Sequence, residues 1–308
     1  MNQYYAAALP AVLMLVCLFF PVLLLDWIRK RQRSKRRSPL TSKLLRGPGE
    51  MLRGELENLQ LDFSTYLALL IAWPLLVLSV YLSQSHFGGV PDTPGRWIFI
   101  ALIIVISVLF LSIKLHRFSR RSLELRTGLE AEIAMGQELD HLMREGAVVF
   151  HDFPAEGFNI DHVVLTRGGI YAVETKGRMK VDRGGGKKDA TVEFNGKVLS
   201  FPAWRESETL EQAKRQAKWL GKWISSAVGE SIDVKPVVAL PGWWVERTGR
   251  SDVTVISGAE AKSLLKGWQS DAFSEPMMKR IAHQLEQHCR DVEPTQYGKQ
   301  NKLGRSAR

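Results

Sequence analysis

Three residues near the middle of the chain, Asp161, Glu174 and Lys176, have the types and the spacing needed for phosphodiester chemistry. Asp161 is the second residue of the apolar run IDHVVLT, and Glu174 and Lys176 lie at the end of the next run, IYAVETK. Side chains two apart on a strand share a face, so Glu174 and Lys176 point the same way. If the two runs form a hairpin, Asp161 lies beside Glu174, and two carboxylates meet an ammonium group.

Such a group suits metal-dependent hydrolysis. The carboxylates of Asp161 and Glu174, with the backbone carbonyl of Thr175, can hold Mg²⁺ or Mn²⁺ and leave positions for water and phosphate. The metal acidifies a bound water, and Lys176 can orient or deprotonate that water. Charged residues at strand ends are also common as solvated surface groups, so the pattern alone leaves both interpretations open.

The segments around these residues resemble the nuclease-related domain (NERD) family, a branch of the PD-(D/E)XK nuclease superfamily. Residues 160–164 read IDHVV and residues 169–176 read GIYAVETK, similar to the family's IDHVVV and GVFVIETK. The resemblance extends over roughly residues 125–240. It implies an α/β fold with a restriction-endonuclease-like mixed sheet flanked by helices, and DNA or RNA as the substrate.

The resemblance also implies two supporting residues. The family has a helix glutamate in a Gly-x-x-Gly-Glu context, and Glu132 matches it, although Ala131 replaces the second glycine. Glu138 on the same helix is the alternative. Gln212 matches the last position of the family's Asn-Pro-x-x-Gln motif, without the Asn-Pro, and would hydrogen-bond a phosphate or order the site. A solvated helix residue is the competing interpretation for each.

Other residues near this group have two possible roles. His162 faces opposite to Asp161, which favours a structural role. Trp243 and Trp244 follow a strand and could stack on unpaired bases, but packing is the more common role. The basic stretch 178–188 (RMKVDRGGGKK) could contact phosphates or be a solvated loop.

The elements that position these residues follow from hydrophobic spacing and turn signals. Apolar residues recur at helical spacing over 129–143, and Gly146 is suited to end that helix. Arg167-Gly168-Gly169 and Asn195-Gly196 are typical of hairpin turns. We expect strands near 147–150, 160–166, 170–175, 191–201, 235–240 and 253–256, and helices over 208–226, 259–268 and 274–288.

Three uncharged apolar segments, Ala6–Leu25, Phe63–Ser83 and Trp97–Ile113, precede this domain. Each is near the length that crosses a bilayer as a helix. A signal peptide would carry basic residues before its apolar run, whereas the first segment has them after it. We therefore expect three transmembrane helices.

The distribution of lysine and arginine predicts the orientation. Residues 27–60 hold ten Lys and Arg against three acids, and residues 114–127 hold five against one, whereas residues 84–96 hold one of each. We expect an integral protein of a bacterial inner membrane, with its N-terminus outside and the domain in the cytoplasm. Cys17 and Cys289 lack an obvious disulfide partner, as in a reducing compartment.

The net charge of +10 is not evidence for a nucleic-acid partner. Residues 128–291 hold 22 basic and 24 acidic residues, so the excess lies in the membrane-flanking loops and the tail. The basic run 29–37 is typical of a topology signal and of a ligand for anionic lipid.

We expect the protein to be a membrane-anchored, metal-dependent nuclease. The alternative is a catalytically weak or inactive nucleic-acid-binding or regulatory module on the same fold. The expected organisation is a first transmembrane helix (1–26), a basic cytoplasmic loop (27–62), a transmembrane hairpin (63–115, with spans 63–83 and 97–113), a nuclease-like domain (120–268), a C-terminal helix (269–292) and a disordered basic tail (293–308).

Overall fold

The structure is a computed structural model that describes residues 3–34, 40, 42–266 and 272–294. Trp268, residues 35–37 of the basic run and residues 295–308 of the tail lie outside this range. The chain forms two compact units. The first takes in Met1–Ser42, Glu57–Ser122 and Glu293–Arg308, and the second Lys43–Leu56 and Leu123–Val292.

Three helices carry the predicted apolar segments. They are α1 (Gln3–Ser34), α2 (Glu50–His86) and α3 (Pro94–Asp140). Each is long and apolar enough to cross a membrane. Many of their large apolar side chains, such as Leu102 and Ile106, are not covered by other residues of the chain. Continuous apolar surface of this kind is typical of contact with lipid or with a partner.

Helix α3 is longer than the sequence pattern predicts. The third apolar segment and the helix predicted from residue 129 are one continuous helix of 47 residues. Residues 114–127 contain no proline and many good helix formers, so the helix is not interrupted between the two segments. A 3₁₀ turn (His141–Glu145) follows α3, and Gly146 ends it at φ +91°, as the sequence predicts.

The second unit is built on a mixed five-stranded sheet. Its strands are β1 (Val148–Pro154), β2 (Asn159–Thr166), β3 (Gly169–Thr175), β7 (Val234–Ala239) and β9 (Thr254–Ile256), in the order β1-β2-β3-β7-β9. The first three strands are antiparallel, and β7 and β9 run parallel to β3. The predicted mixed α/β architecture is confirmed.

A smaller four-stranded sheet packs against the large one. It consists of β4 (Thr191–Phe194), β5 (Leu199–Ser200), β6 (Arg205–Glu206) and β8 (Trp244–Arg247), in the order β6-β5-β4-β8. The β4–β5 hairpin is the one predicted around Asn195-Gly196. Buried side chains of the two sheets share one apolar cluster, which includes Val192, Leu199 and Val238.

Helices cover both faces of the large sheet. Alternate residues of β2 point to opposite faces, so Val163 and Leu165 pack with α4 (Glu208–Val228) and α5 (Glu275–Cys289). Val164 packs instead with the end of α3. A 3₁₀ helix, Gly258–Lys266, takes the place of the helix predicted from residue 259.

Candidate active site

The β2–β3 hairpin brings Asp161 and Glu174 together. His162 pairs with Val173, so the next pair along the two antiparallel strands is Asp161 with Glu174. Both carboxylates are buried, and the backbone N–H of Thr175 donates a 2.6 Å hydrogen bond to Asp161 Oδ2. The sequence predicts this juxtaposition from the strand lengths and the short turn.

Lys176 joins the two carboxylates from the residue after β3. Its ammonium lies 2.6 Å from Glu174 Oε1 and donates to Gln212 Oε1 at 3.1 Å. Its backbone N–H donates to the carbonyl of Ala239, which fixes the chain at this point. The Lys176 side chain is 22 % exposed, so water can reach the ammonium group while Glu174 stays buried.

Glu132 on α3 is the helix glutamate that approaches this group. It is buried, and its Oε2 has no hydrogen-bond partner among the described residues. Burial, helped by the negative charges of Asp152 and Glu174, raises the pKa of Glu132 to about 8, against the lowering effect of Lys176. Glu138 is exposed on the same helix. The structure thus places Glu132, rather than Glu138, beside the carboxylates.

The acidic residues of the site repel one another. The pKa of Asp161 is raised well above its usual value by burial first, and then by the charges of Glu174 and Glu132. In the part of the chain that the structure describes, no three His, Cys, Asp or Glu side chains are already arranged as metal ligands. Mutually repelling carboxylates and the unpartnered Glu132 oxygen nevertheless fit a hard divalent cation, which prefers oxygen ligands. Ligation by the Thr175 carbonyl stays a prediction.

Gln216 is a site residue that the sequence reasoning missed. Its Nε2 donates to Glu174 Oε2 at 2.6 Å and to the carbonyl of Asn159 at 3.1 Å. Gln216 is buried and lies one helical turn after Gln212 on α4. The sequence contains a signal for Gln216, because residues four apart share a helix face and Gln212 is itself a candidate site residue.

Replacing Gln216 with leucine is expected to destabilise the protein by about 1–3 kcal/mol, because it leaves the buried Glu174 oxygen and the Asn159 carbonyl without a donor. Urea unfolding of the full chain in detergent measures this loss. Gln137→Leu, at an exposed position of α3, is the matched control and should shift stability by less than about 0.5 kcal/mol. Equal stability of Gln216→Leu and the wild type would contradict the assignment.

His162 belongs to a separate buried group on the other face of β2. Its Nδ1 lies 2.9 Å from Nδ1 of His151, whose Nε2 lies 3.0 Å from Asp140 Oδ1. Burial, with the adjacent His151, keeps the pKa of His162 well below its usual value. This arrangement supports a structural role for His162.

The two adjacent tryptophans have different environments. Trp243 is 3 % exposed, packs edge-on against Phe201, and donates its indole N–H to the carbonyl of Arg178. Trp244 on β8 is 59 % exposed, with the ammonium of Lys187 at 4.5 Å from its ring centroid. Packing therefore explains Trp243, whereas Trp244 presents an aromatic face beside the basic stretch 178–188.

Comparison with known proteins gives a match to one family, and the matched residues lie within the second unit. Neither the curated proteins nor the solved structures gave a match. Residues 127–241 match the family model described as the nuclease-related domain. The matched range contains Glu132, Asp161, Glu174, Lys176 and both glutamines, and excludes α1, α2 and α5. Residues 127–241 therefore form a nuclease-related (NERD) domain.

Proposed function

We propose that this protein is a membrane-anchored, metal-dependent nuclease that hydrolyses phosphodiester bonds of DNA or RNA. One observation carries the proposal: Asp161, Glu174 and Lys176 converge at the end of one hairpin, with the buried Glu132 beside them. The order Glu174-Thr175-Lys176 at the end of β3 supports placement in the PD-(D/E)XK superfamily.

Different residues of the chain have different roles in the proposed hydrolysis. Asp161, Glu174, Glu132 and the Thr175 carbonyl would hold Mg²⁺ or Mn²⁺. A bound ion of this kind acidifies water and offsets charge that develops on the phosphate. Lys176, held between Glu174 and Gln212, is placed to orient the attacking water and to hydrogen-bond a phosphate oxygen. Gln216 fixes the carboxylate of Glu174 from the opposite side.

The surface around Trp244 supports nucleic acid as the partner. Base stacking on an aromatic side chain contributes about 1–3 kcal/mol. An exposed cation–π contact such as that of Lys187 contributes only about 0.5–1 kcal/mol. An unpaired base can therefore displace Lys187 from the ring, which frees the ammonium to pair with a phosphate.

Trp244→Ala is expected to weaken binding of a single-stranded oligonucleotide by about 5- to 100-fold, because the stacking contribution is lost. Fluorescence anisotropy with the full chain in detergent and excess chelator measures binding without cleavage. Trp244→Phe keeps an aromatic face and should retain most of the affinity. Equal affinity of the alanine variant and the wild type would remove this surface from the proposal.

We also propose that the apolar helices span a membrane and that the domain faces the cytoplasm. The excess of lysine and arginine in residues 27–60 and 114–127 supports this orientation. Anionic lipid is the proposed partner of the basic run 29–37.

A binding module without turnover is the second candidate, because the Trp244 surface does not depend on the acidic residues. One assay separates the two functions. The full chain is incubated with linear and circular DNA and with RNA, in Mg²⁺, in Mn²⁺ and in chelator. Metal-dependent cleavage supports the nuclease, and cleavage of circles identifies internal cutting. Binding without cleavage of any substrate supports the second candidate.

A further inference from the structure

The segment Lys43–Leu56 consists of residues before α2 and the first residues of α2, and it belongs to the second unit, whereas the rest of α2 belongs to the first. Leu44 and Val292 exchange backbone hydrogen bonds of 2.8 and 3.2 Å, and the N–H of Arg46 donates to the carbonyl of Cys289. The chain therefore pairs here with residues almost 250 positions away. This segment lies outside the matched range 127–241.

Arg46 holds two carboxylates at once. Its Nη1 lies 2.7 Å from Asp152 Oδ2, while Nε and Nη2 donate to the two oxygens of Asp291 at 2.7 and 2.8 Å. Asp152 is fully buried in β1, with a left-handed backbone at φ +48°, and it also accepts from the N–H of Met51. A buried carboxylate requires such a partner, since an unpaired buried charge is strongly destabilising.

The turn after Arg46 touches α3 next to Glu132. A methyl group on Gly136 of α3 would lie 2.6 Å from Cγ of Pro48, so only glycine lets the proline ring come this close. Gly49 has φ +69°, and a methyl group there would lie 3.5 Å from Glu132 Oε2. Pro48 and Gly49 of this turn therefore pack against α3 beside the Glu132 carboxylate.

We propose that the segment 43–56 is a positioning element of the acidic site, and that Arg46 is its positioning residue. By joining Asp152 of β1 to Asp291 after α5, and by placing Pro48 against α3, the segment holds Glu132 towards Asp161 and Glu174. The inference rests on the proposed nuclease function and adds to it a part of the site that comes from the start of α2 and the residues before it.

Hydrogen exchange in the full chain in detergent tests the docking without reference to activity. The amides of Leu44, Arg46 and Met51 are expected to exchange slowly, because each donates a hydrogen bond to a residue of the second unit that lies far away in sequence. Arg46→Met should raise exchange over residues 43–52. Arg53→Met is the matched control, since the Arg53 side chain is half exposed and its ion pair among the described residues is with Glu50 at 3.8 Å, and it should leave this exchange unchanged.

Cleavage kinetics of the same variants test the positioning role. Arg46→Met and Gly136→Ala are expected to lower kcat by at least about tenfold while KM for the oligonucleotide stays within about twofold, since outer residues that orient metal ligands typically have effects of 10- to 100-fold. Arg46→Lys should recover part of kcat. Gly136→Ala leaves the Arg46 side chain itself unaltered, so it remains informative if Arg46→Met fails to fold. Gly47→Ala, where a methyl group meets nothing within 4 Å, is its control.

The outcomes separate this inference from the proposed function. Free exchange of residues 43–52 in an active wild-type chain would overturn the inference. Slow exchange with kcat unchanged in Arg46→Met and Gly136→Ala would overturn the positioning role. A protected segment in a wild-type chain that cleaves no substrate would overturn the proposed function, and the positioning role with it.

Discussion

Lys176→Ala is expected to lower the rate of phosphodiester cleavage by about 10²- to 10⁴-fold, the usual contribution of a positioned proton-transfer or water-orienting group. The expected loss of rate follows from the contacts of the Lys176 side chain. Lys176 is the partly exposed cation that touches Glu174 and Gln212, and alanine removes both contacts. Initial rates on a labelled oligonucleotide, with the full chain in detergent and saturating Mg²⁺, measure the loss.

Lys214→Ala is the matched control for this variant. Lys214 also belongs to the matched domain, but it forms an exposed ion pair with Glu211 on α4. Exposed pairs of this kind contribute little to stability, so Lys214→Ala should leave the fold intact. The cleavage rate of this variant should therefore equal that of the wild type. A Lys176→Ala rate within about twofold of the wild type would remove Lys176 from the mechanism.

Glu132→Gln is expected to make the protein more stable and less active at the same time. Glu132 holds its proton more tightly in the folded chain than in the unfolded chain, with a pKa raised from 4.5 to about 8. Folding stability of the wild type therefore falls as the pH rises from about 4.5 to 8. Glutamine has no such penalty, so we expect it to stabilise the fold by roughly 1–3 kcal/mol at neutral pH.

Urea unfolding in chelator, at pH 4 and at pH 7.5, measures the effect of Glu132→Gln. The gain should be nearly absent at pH 4, where the glutamate is mostly protonated in both states, and present at pH 7.5. Glu138→Gln, on the exposed face of the same helix, should show no gain at either pH. A Glu132→Gln variant that is less stable than the wild type at pH 7.5 would show that burial and the neighbouring negative charges are not the dominant effects at this position.

The centre of the site could be predicted from the sequence because its geometry is local. Asp161 and Glu174 lie on two strands joined by the two-residue turn Arg167-Gly168, Lys176 directly follows the second strand, and strand periodicity determines which side chains share a face. The same local signals identify Gly146 as the end of the helical region. The approach of Glu132 was expected from the family resemblance alone.

The remaining features depend on contacts that no local pattern encodes. Nothing near Arg46 in the sequence indicates that it pairs with Asp152 and Asp291, because those partners are 106 and 245 residues away. The strands β6 and β8 are two and four residues long, too short for a clear alternation. The burial of Trp243 and the exposure of Trp244 likewise depend on where the small sheet packs.

Comparison of the wild-type chain with Glu174→Gln in one cleavage assay tests the nuclease proposal most directly. The substitution preserves the shape of the side chain and removes the charge that Lys176 and Gln216 contact. We expect the wild type to cleave nucleic acid in Mg²⁺ or Mn²⁺ and not in chelator, and the variant to be slower by at least about 10²-fold. Equal cleavage by the two chains, or cleavage by the wild type that persists in chelator, would contradict the proposal.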